Sequence, residues 1–173
     1  EVAGAGYLNI FVARSWWHAI VGRVLSAGQE YGQANLGEGR RVQVEFVSAN
    51  PTGPLHVGHG RGAILGDAVA SLLTAIGYQV EREFYINDAG TLVRLLGESI
   101  WARHQEAAGQ PVVFPENGYH GEYVRDLAAQ AAALPGLGEM DAAKAIVACA
   151  EWGSAILLEE AKADLRDFGV VFD

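Results

Sequence analysis

The stretch that most constrains the fold is VQVEFVSANPTGPLHVGH, residues 42–59, where an alternating apolar run enters a Pro/Gly loop and then a helical pattern. Residues 41–47 alternate and are rich in valine, which is typical of a strand. Pro51 and Pro54 exclude a helix interior or a central strand between them. From His56 to about Ile76 the apolar residues recur at helical spacing, and Gly77 is suited to end the helix. The stretch therefore predicts a strand, a loop and a long helix in direct succession.

A second strand is predicted directly after this helix, over residues 78–86. Strand, helix and strand in about 45 residues form a βαβ unit, with parallel strands and a right-handed crossover. The fold class is therefore α/β, with a parallel sheet. The remaining predicted elements are short strands at residues 7–11 and 170–172, helices at 16–28, 91–107, 120–134 and 141–168, and a linker at 32–39.

Composition limits the class of protein. The chain has 173 residues and is 50% hydrophobic, enough for about one domain with a real core, and no run of apolar residues is long enough for a transmembrane helix. The single cysteine, Cys149, lies in an apolar helical pattern and is expected to be buried; a chain without an intrachain disulfide fits the reducing cytoplasm. The net charge of −9 argues against a free-standing nucleic-acid binder. It leaves room for a nucleic-acid enzyme whose basic surface lies on another domain.

The candidate chemistry lies at the junction between loop and helix. In open parallel sheets, ligands bind beyond the carboxyl ends of the strands. A helix N-terminus offers unpaired N–H groups and a positive dipole end, which suit a phosphate. His56 and His59 are three residues apart and share a helix face, so both imidazoles could donate to a transferring phosphoryl group. Gly58 between them would let a flat base approach the backbone closely.

Plainer interpretations of the two histidines remain open at this point. They could be ordinary surface residues, or one could cap the helix. They could also bind a metal, but no Cys, Asp or Glu flanks them at ligand spacing, so no metal ligand is predicted. A His-x-Gly-His sequence that follows a strand and a Pro/Gly loop and opens a long helix is more specific than either histidine alone.

The segment EFVSANPTGPLHVGHGRGAILGDAVASLLTAIGYQVEREFYINDAG resembles arginyl-tRNA synthetase of the bacterial type. His56-Val57-Gly58-His59 matches the HIGH signature of class I aminoacyl-tRNA synthetases. The segments GAGYLNIFV, NGYHGEYV and LRDFGVVFD also resemble that family in order and spacing, so the resemblance spans essentially the whole chain. It implies a Rossmann-like (HUP-type) parallel-sheet half-domain with a helical insertion.

The resemblance also implies roles for individual residues. His56, Gly58 and His59 would bind ATP, and the two histidines would assist adenylate formation. Ser48 and Asn50 would contact arginine, with His59 close by. Glu45 would face the guanidinium, since a carboxylate reads a planar cation well in a bidentate pair. From the residues alone, Glu45 is more simply an ordinary solvent-facing strand residue and Asn50 a turn former.

The chain departs from the family pattern, with Leu92 where members often carry a glutamine and Gly53 where some members without the second signature carry a lysine. The family's second signature, KMSK, does not occur, and Lys144 and Lys162 are the only lysines. We therefore expect a fragment with three parts. Residues 1–39 would be the remnant of an N-terminal tRNA-binding domain plus linker, 40–90 the first half of the catalytic domain, and 91–173 a helical insertion or connective segment ending in a truncated strand. Asp67 is expected to be structural, and Arg82 a solvated charge.

The function implied is arginine–tRNA ligation, in which ATP with Mg²⁺ activates arginine and the arginyl group passes to tRNA(Arg). The fragment alone is expected to be inactive, with at most weak ATP binding. One alternative is a smaller nucleotidyltransferase that uses the same His-x-Gly-His device. Another is a non-catalytic module derived from a synthetase, which keeps the fold and uses an exposed apolar surface as an interface.

Overall fold

The computed structural model describes all 173 residues. Five helices and four short strands follow one another along the chain. They are β1 (Val2–Ala3), β2 (Tyr7–Leu8), α1 (Arg14–Ala27), β3 (Arg41–Glu45), α2 (Val57–Ala75), β4 (Gln79–Glu83), α3 (Thr91–Ala107), α4 (Glu122–Ala131) and α5 (Ala142–Asp167). Single 3₁₀ turns lie at Gly28–Glu30 and Leu137–Glu139. None of the helices has the length and apolar character that crossing a membrane requires.

The βαβ unit predicted from the sequence is confirmed. Strands β3 and β4 pair in parallel, from Arg41 opposite Gln79 to Glu45 opposite Glu83, with α2 as the crossover between them. Gly77 has a φ of 90°, the left-handed conformation that lets the chain leave the helix and turn back into β4.

Helix α2 lies very close to the chain just after β3. A Cβ on Gly66 would lie 2.1 Å from Cγ of Phe46, so only glycine allows this helix to approach the phenyl ring. Phe46 belongs to a small core with Ala63 of α2, Leu165 of α5 and Val170. The end of α5 therefore supports the base of the βαβ unit.

Helices α3, α4 and α5 enclose a larger core of their own. Its ten buried residues are Leu96, Ile100, Val124, Leu127, Ala128, Ala131, Leu137, Ala145, Cys149 and Leu157. Gly97 permits the contact between α3 and α5, since a Cβ there would lie 2.3 Å from the carbonyl oxygen of Ile146. Cys149 is fully buried, as expected, and its burial raises the pKa of the thiol to about 11.

The N-terminal segment contrasts with these cores. The antiparallel pair β1–β2 precedes α1, and α1 buries none of its residues. Its large apolar side chains include Trp16, Trp17 and Leu25, all exposed. The linker after α1 is nevertheless held at the end of α2, where Ala34 N–H donates to Ala75 O and Gly37 N–H to Ile76 O.

Two sequence-based expectations are wrong in detail. Residues 170–172 form no strand, because a single backbone hydrogen bond, from Asp173 N–H to Arg82 O at 3.1 Å, joins this end of the chain to β4. Arg82 is also not a solvated charge. Its guanidinium donates to Asp67 Oδ1 and Ser71 Oγ, both at 3.1 Å, and so ties β4 to α2. Asp67 has the structural role expected of it.

Candidate functional site

The two histidines of the His-x-Gly-His stretch lie together at the start of α2. Their rings stack with centroids 3.8 Å apart and an angle of 18° between the planes. His56 is the N-cap residue of α2, and His59 stands one turn into the helix. The prediction that the two rings share a face is confirmed. His56 is exposed and His59 half-buried, so the pair remains accessible to a ligand.

The hydrogen bonds of the helix start determine which ring nitrogens face outward. Nδ1 of His56 accepts from Gly58 N–H at 3.1 Å, and Nδ1 of His59 accepts from His56 N–H at 3.3 Å. A ring nitrogen that accepts carries no proton, so in each neutral ring the proton is on Nε2. This reciprocal capping box leaves two Nε2–H donors, one on each stacked ring.

Three of the backbone donors at this helix start are already used. Gly58 N–H bonds to His56 Nδ1, and the N–H groups of His59 and Gly60 bond to His56 O at 2.8 and 3.1 Å. An anion at this turn would therefore meet imidazole N–H groups and the positive end of the helix dipole more than free amides. Packing within the turn itself favours glycine at position 58, since a Cβ there would lie 2.9 Å from Cε1 of His56.

The surroundings of His59 favour its neutral form. Partial burial, with the adjacent His56 as the second cause, lowers the pKa of His59. Protonation of Nδ1 would also remove the acceptor that holds His56 N–H. The neutral form of His59, with Nδ1 as the acceptor, is therefore the stable form of this ring near neutral pH.

A second group of predicted residues lies where β3 ends. Ser48 Oγ–H donates to Glu45 Oε1 at 2.8 Å. Ser48 Oγ in turn accepts from Tyr85 N–H, beyond the end of β4, at 3.1 Å. Val47 and Ser48 have φ values of 66° and 41°, which are rare for residues with a side chain, and for β-branched Val47 represent local strain. The strained turn brings the Ser48 hydroxyl to both strand ends and orients the Glu45 carboxylate.

The predicted residues thus form two groups. No hydrogen bond joins the Glu45–Ser48 pair to the imidazole pair, and the Asn50 side chain makes no hydrogen bond. A cavity of about 400 Å³ opens beside His56. Its lining includes Leu55 and Gly60 and, from the end of α5, Asp164, Leu165, Asp167 and Phe168.

One residue that sequence reasoning missed reaches the loop between these groups. Tyr123 Oη, at the start of α4, donates to Thr52 O at 2.8 Å. The only sequence signal was the similarity of the NGYHGEYV segment to the synthetases, which gave no role to this tyrosine. The two residues are far apart in the chain, and only the packing of α4 brings them together.

A family model matches more than half of the chain. The family model described as tRNA synthetases class I (R), catalytic domain, matches residues 20–120, more than half of the chain. The matched region includes β3, the loop, the histidine pair, β4 and α3.

Curated relatives match the chain almost from end to end. The arginine–tRNA ligase of Desulfosudis oleivorans is 46% identical over 175 residues, covering 100% of this chain and 32% of the relative. That of Solidesulfovibrio magneticus is 49% identical, with the same coverage. That of Nitratidesulfovibrio vulgaris strain Hildenborough is 46% identical over 171 residues, covering 98% of this chain and 31% of the relative. The chain thus spans about a third of the length of these relatives.

A solved structure gives the same result for the fold. A crystal structure from Campylobacter jejuni, of a protein assigned as an arginyl-tRNA synthetase, superposes with a TM-score of 0.77 at 30% identity. The match covers 94% of this chain and 36% of the other. The α/β, Rossmann-like fold class predicted from the sequence is confirmed. The arginine–tRNA ligases match this chain over its whole length, which disfavours the alternative of a smaller nucleotidyltransferase.

Proposed function

The chain belongs to the class I tRNA synthetases specific for arginine, and from this premise we propose that it carries the ATP- and arginine-binding part of an arginine–tRNA ligase. In the proposed reaction, ATP and arginine give arginyl-adenylate and pyrophosphate. The arginyl group then passes to the terminal ribose of tRNA(Arg). Because the chain spans about a third of its relatives, we assign the complete reaction to a polypeptide of their length. For the 173 residues alone we propose weak ATP binding without turnover.

The stacked imidazole pair is the observation that carries this proposal. Both Nδ1 atoms accept backbone N–H groups, so both Nε2–H groups are free to donate to the phosphates of ATP. Donors that are already oriented need no rearrangement when negative charge develops in the transition state. We propose that His56 and His59 stabilise that charge, while Gly58 leaves room for the His56 ring.

We propose the Glu45 carboxylate as the partner of the arginine guanidinium. The Ser48 hydroxyl binds Oε1, so Oε2 and the remaining lone pairs stay available for a planar cation. The Ser48 hydroxyl already donates to Glu45 and accepts from Tyr85 N–H. These bonds support a role for Ser48 in orienting Glu45, in addition to a direct contact with arginine. Asn50 has a free side-chain amide that could complete the site, with His59 close to the reacting carboxylate of arginine.

Mg²⁺ would accompany ATP, and we name no protein ligand for it. No group of three or more His, Cys, Asp or Glu side chains in the chain is arranged to hold a metal ion. The magnesium would partly neutralise the phosphate charge, while the residues named above bind and orient the two substrates. We propose the cytoplasm as the compartment, where a buried thiol such as Cys149 stays reduced.

The test is an ATP titration of the 173-residue chain and two His56 variants, followed by calorimetry or NMR. Asparagine can replace Nδ1 as the cap acceptor but has no equivalent of Nε2–H. His56→Asn should therefore keep the helix start and weaken ATP binding by about 10- to 100-fold, the effect of losing a hydrogen bond to a charged group. His56→Ala should lose the ATP affinity and also about 0.5–2 kcal/mol of stability, because the cap is removed.

His18→Ala is the matched control, since His18 is exposed on α1, away from the site. It should leave ATP affinity unchanged. The reaction itself is tested by placing these 173 residues in the Desulfosudis oleivorans ligase, in exchange for the segment they match. Arginine-dependent pyrophosphate exchange by that chimera, lost with His59→Asn or Glu45→Gln, is the expected result. A folded chimera without exchange would favour the non-catalytic module.

A further inference from the structure

The loop from Ala49 to Leu55 has few attachments to the rest of the molecule. Within it, Thr52 N–H donates to Asn50 O at 2.8 Å. Its only hydrogen bond to another part of the chain comes from Tyr123 Oη, which donates to Thr52 O at 2.8 Å. Thr52 is nevertheless 9% exposed, so the loop is seated against the helical segment and does not extend freely into solvent.

The donor itself is held firmly. Tyr123 lies in the first turn of α4, and its ring packs against the core that α3, α4 and α5 enclose. Partial burial, with the neighbouring Tyr119 as the second cause, raises the pKa of Tyr123 to about 12, so its hydroxyl stays protonated as a donor. A Cβ on Gly53 would lie 3.2 Å from this oxygen, so glycine at that position leaves the hydroxyl close to the loop backbone.

The hydrogen bond from Tyr123 holds a loop that lies between the two groups of the candidate site. The loop begins directly after Ser48 and ends directly before His56, so it spans the distance between the two groups of the candidate site. The Glu45–Ser48 pair and the imidazole pair are joined in sequence only through this loop, and Asn50 lies within it. Leu55 packs against the small core at one end of the loop, so the hydrogen bond to Thr52 O is the polar contact by which α4 holds the middle of the loop.

We propose that Tyr123 is a positioning residue, through which the helical segment sets the loop between the Glu45–Ser48 pair and the imidazole pair. It contacts neither ligand. It reduces the number of loop conformations, so less conformational entropy is lost when ATP binds the imidazole pair. The proposal rests on the proposed function for its ligand, whereas the anchoring of the loop can be measured without any ligand.

The test uses Tyr123→Phe in the 173-residue chain, which removes one oxygen and keeps the ring in the core. Tyr119→Phe is the matched control, because Tyr119 packs against the same core and its hydroxyl makes no hydrogen bond. Backbone order parameters of residues 49–55, measured by NMR without ligand, should fall from the rigid range near 0.85 toward the flexible range below about 0.6 in Tyr123→Phe only. The dissociation constant for ATP should rise about 3- to 10-fold, the range expected from one lost hydrogen bond.

The outcomes separate the two proposals. A more mobile loop with a weakened ATP affinity supports the positioning role. A more mobile loop in a chain whose wild type binds no ATP supports the anchoring and refutes the proposed function. Unchanged order parameters in Tyr123→Phe would overturn the inference, and so would an equal loss of ATP affinity in Tyr119→Phe, since general packing of the helical core would then explain both.

Discussion

The helical segment of α3, α4 and α5 has a larger buried core than the βαβ unit of β3, α2 and β4. The helical segment encloses ten buried apolar residues, whereas the core under the βαβ unit has four, two of which, Leu165 and Val170, come from outside it. Helix α2 leaves Ile64, Leu65 and Leu72 exposed. Every predicted site residue lies in the thinly packed unit.

The difference shows that the larger buried core and the proposed site residues lie in different parts of the chain. A site that must admit ligands sits on loops and helix ends with free polar groups, and such regions open most easily. Here the strained turn at Val47–Ser48 and the loop to His56 lie on that unit, while the larger core lies under the helices. The end of α5 and the Tyr123 hydroxyl connect the two.

The largest expected effect compares two leucines, one from each region. Leu96 is fully buried in the helical core, whereas Leu65 on α2 is 67% exposed. Leu96→Ala should cost about 2–5 kcal/mol of the free energy of unfolding, because it removes buried apolar contacts and leaves a cavity. Leu65→Ala should stay within about 0.5 kcal/mol of wild type. Urea unfolding followed by circular dichroism measures both, and similar losses in the two variants would break the comparison.

An intermediate effect is expected from two glycines of α2. Gly66→Ala would press a methyl group into the Phe46 ring and should cost about 1–3 kcal/mol of unfolding free energy. Gly62 has no atom within 4 Å of an added Cβ, so Gly62→Ala should instead stabilise by about 0.5–1 kcal/mol through helix propensity. Faster amide hydrogen exchange in β3 and β4 should report the lower stability of Gly66→Ala. If Gly66→Ala were as stable as Gly62→Ala, the thin core would be more adaptable than the structure indicates.

The smallest effect is a pH dependence that arises at His59, in the βαβ unit. Because the pKa of His59 is lowered in the folded state, the unfolded chain binds more protons below the ordinary histidine pKa of about 6.5. The contribution of His59 is complete above that pH, and it is lost as the pH falls toward the lowered pKa. Unfolding free energies at pH 7.5 and 5.5 should differ less for His59→Asn than for wild type. An identical difference would mean that the ring titrates as freely as in the unfolded chain.

Local patterns predicted three of the helices closely, while the predictions for β4 (78–86) and α4 (120–134) ran beyond the observed bounds and β1 was not predicted. The prediction for α3 matches its observed bounds, and those for α2 and α5 are within one residue, since their apolar spacing, caps and glycines act over a few residues. The parallel pairing of β3 and β4 was also predictable, because a strand followed by a long helix and a second strand admits few other arrangements. The three residues 170–172 have strand-like composition but lack a ladder, which local composition cannot supply.

The sequence by itself determined the βαβ unit, the helical segment and the His-x-Gly-His stretch at a helix start, because each depends on residues close in the chain. Only the tertiary structure decided that Ser48 joins the two strand ends, through Tyr85 N–H, and that Tyr123 holds the loop at Thr52. Hydrogen bonds between residues far apart in the chain depend on how whole helices and strands pack. No pattern of neighbouring residues encodes that packing.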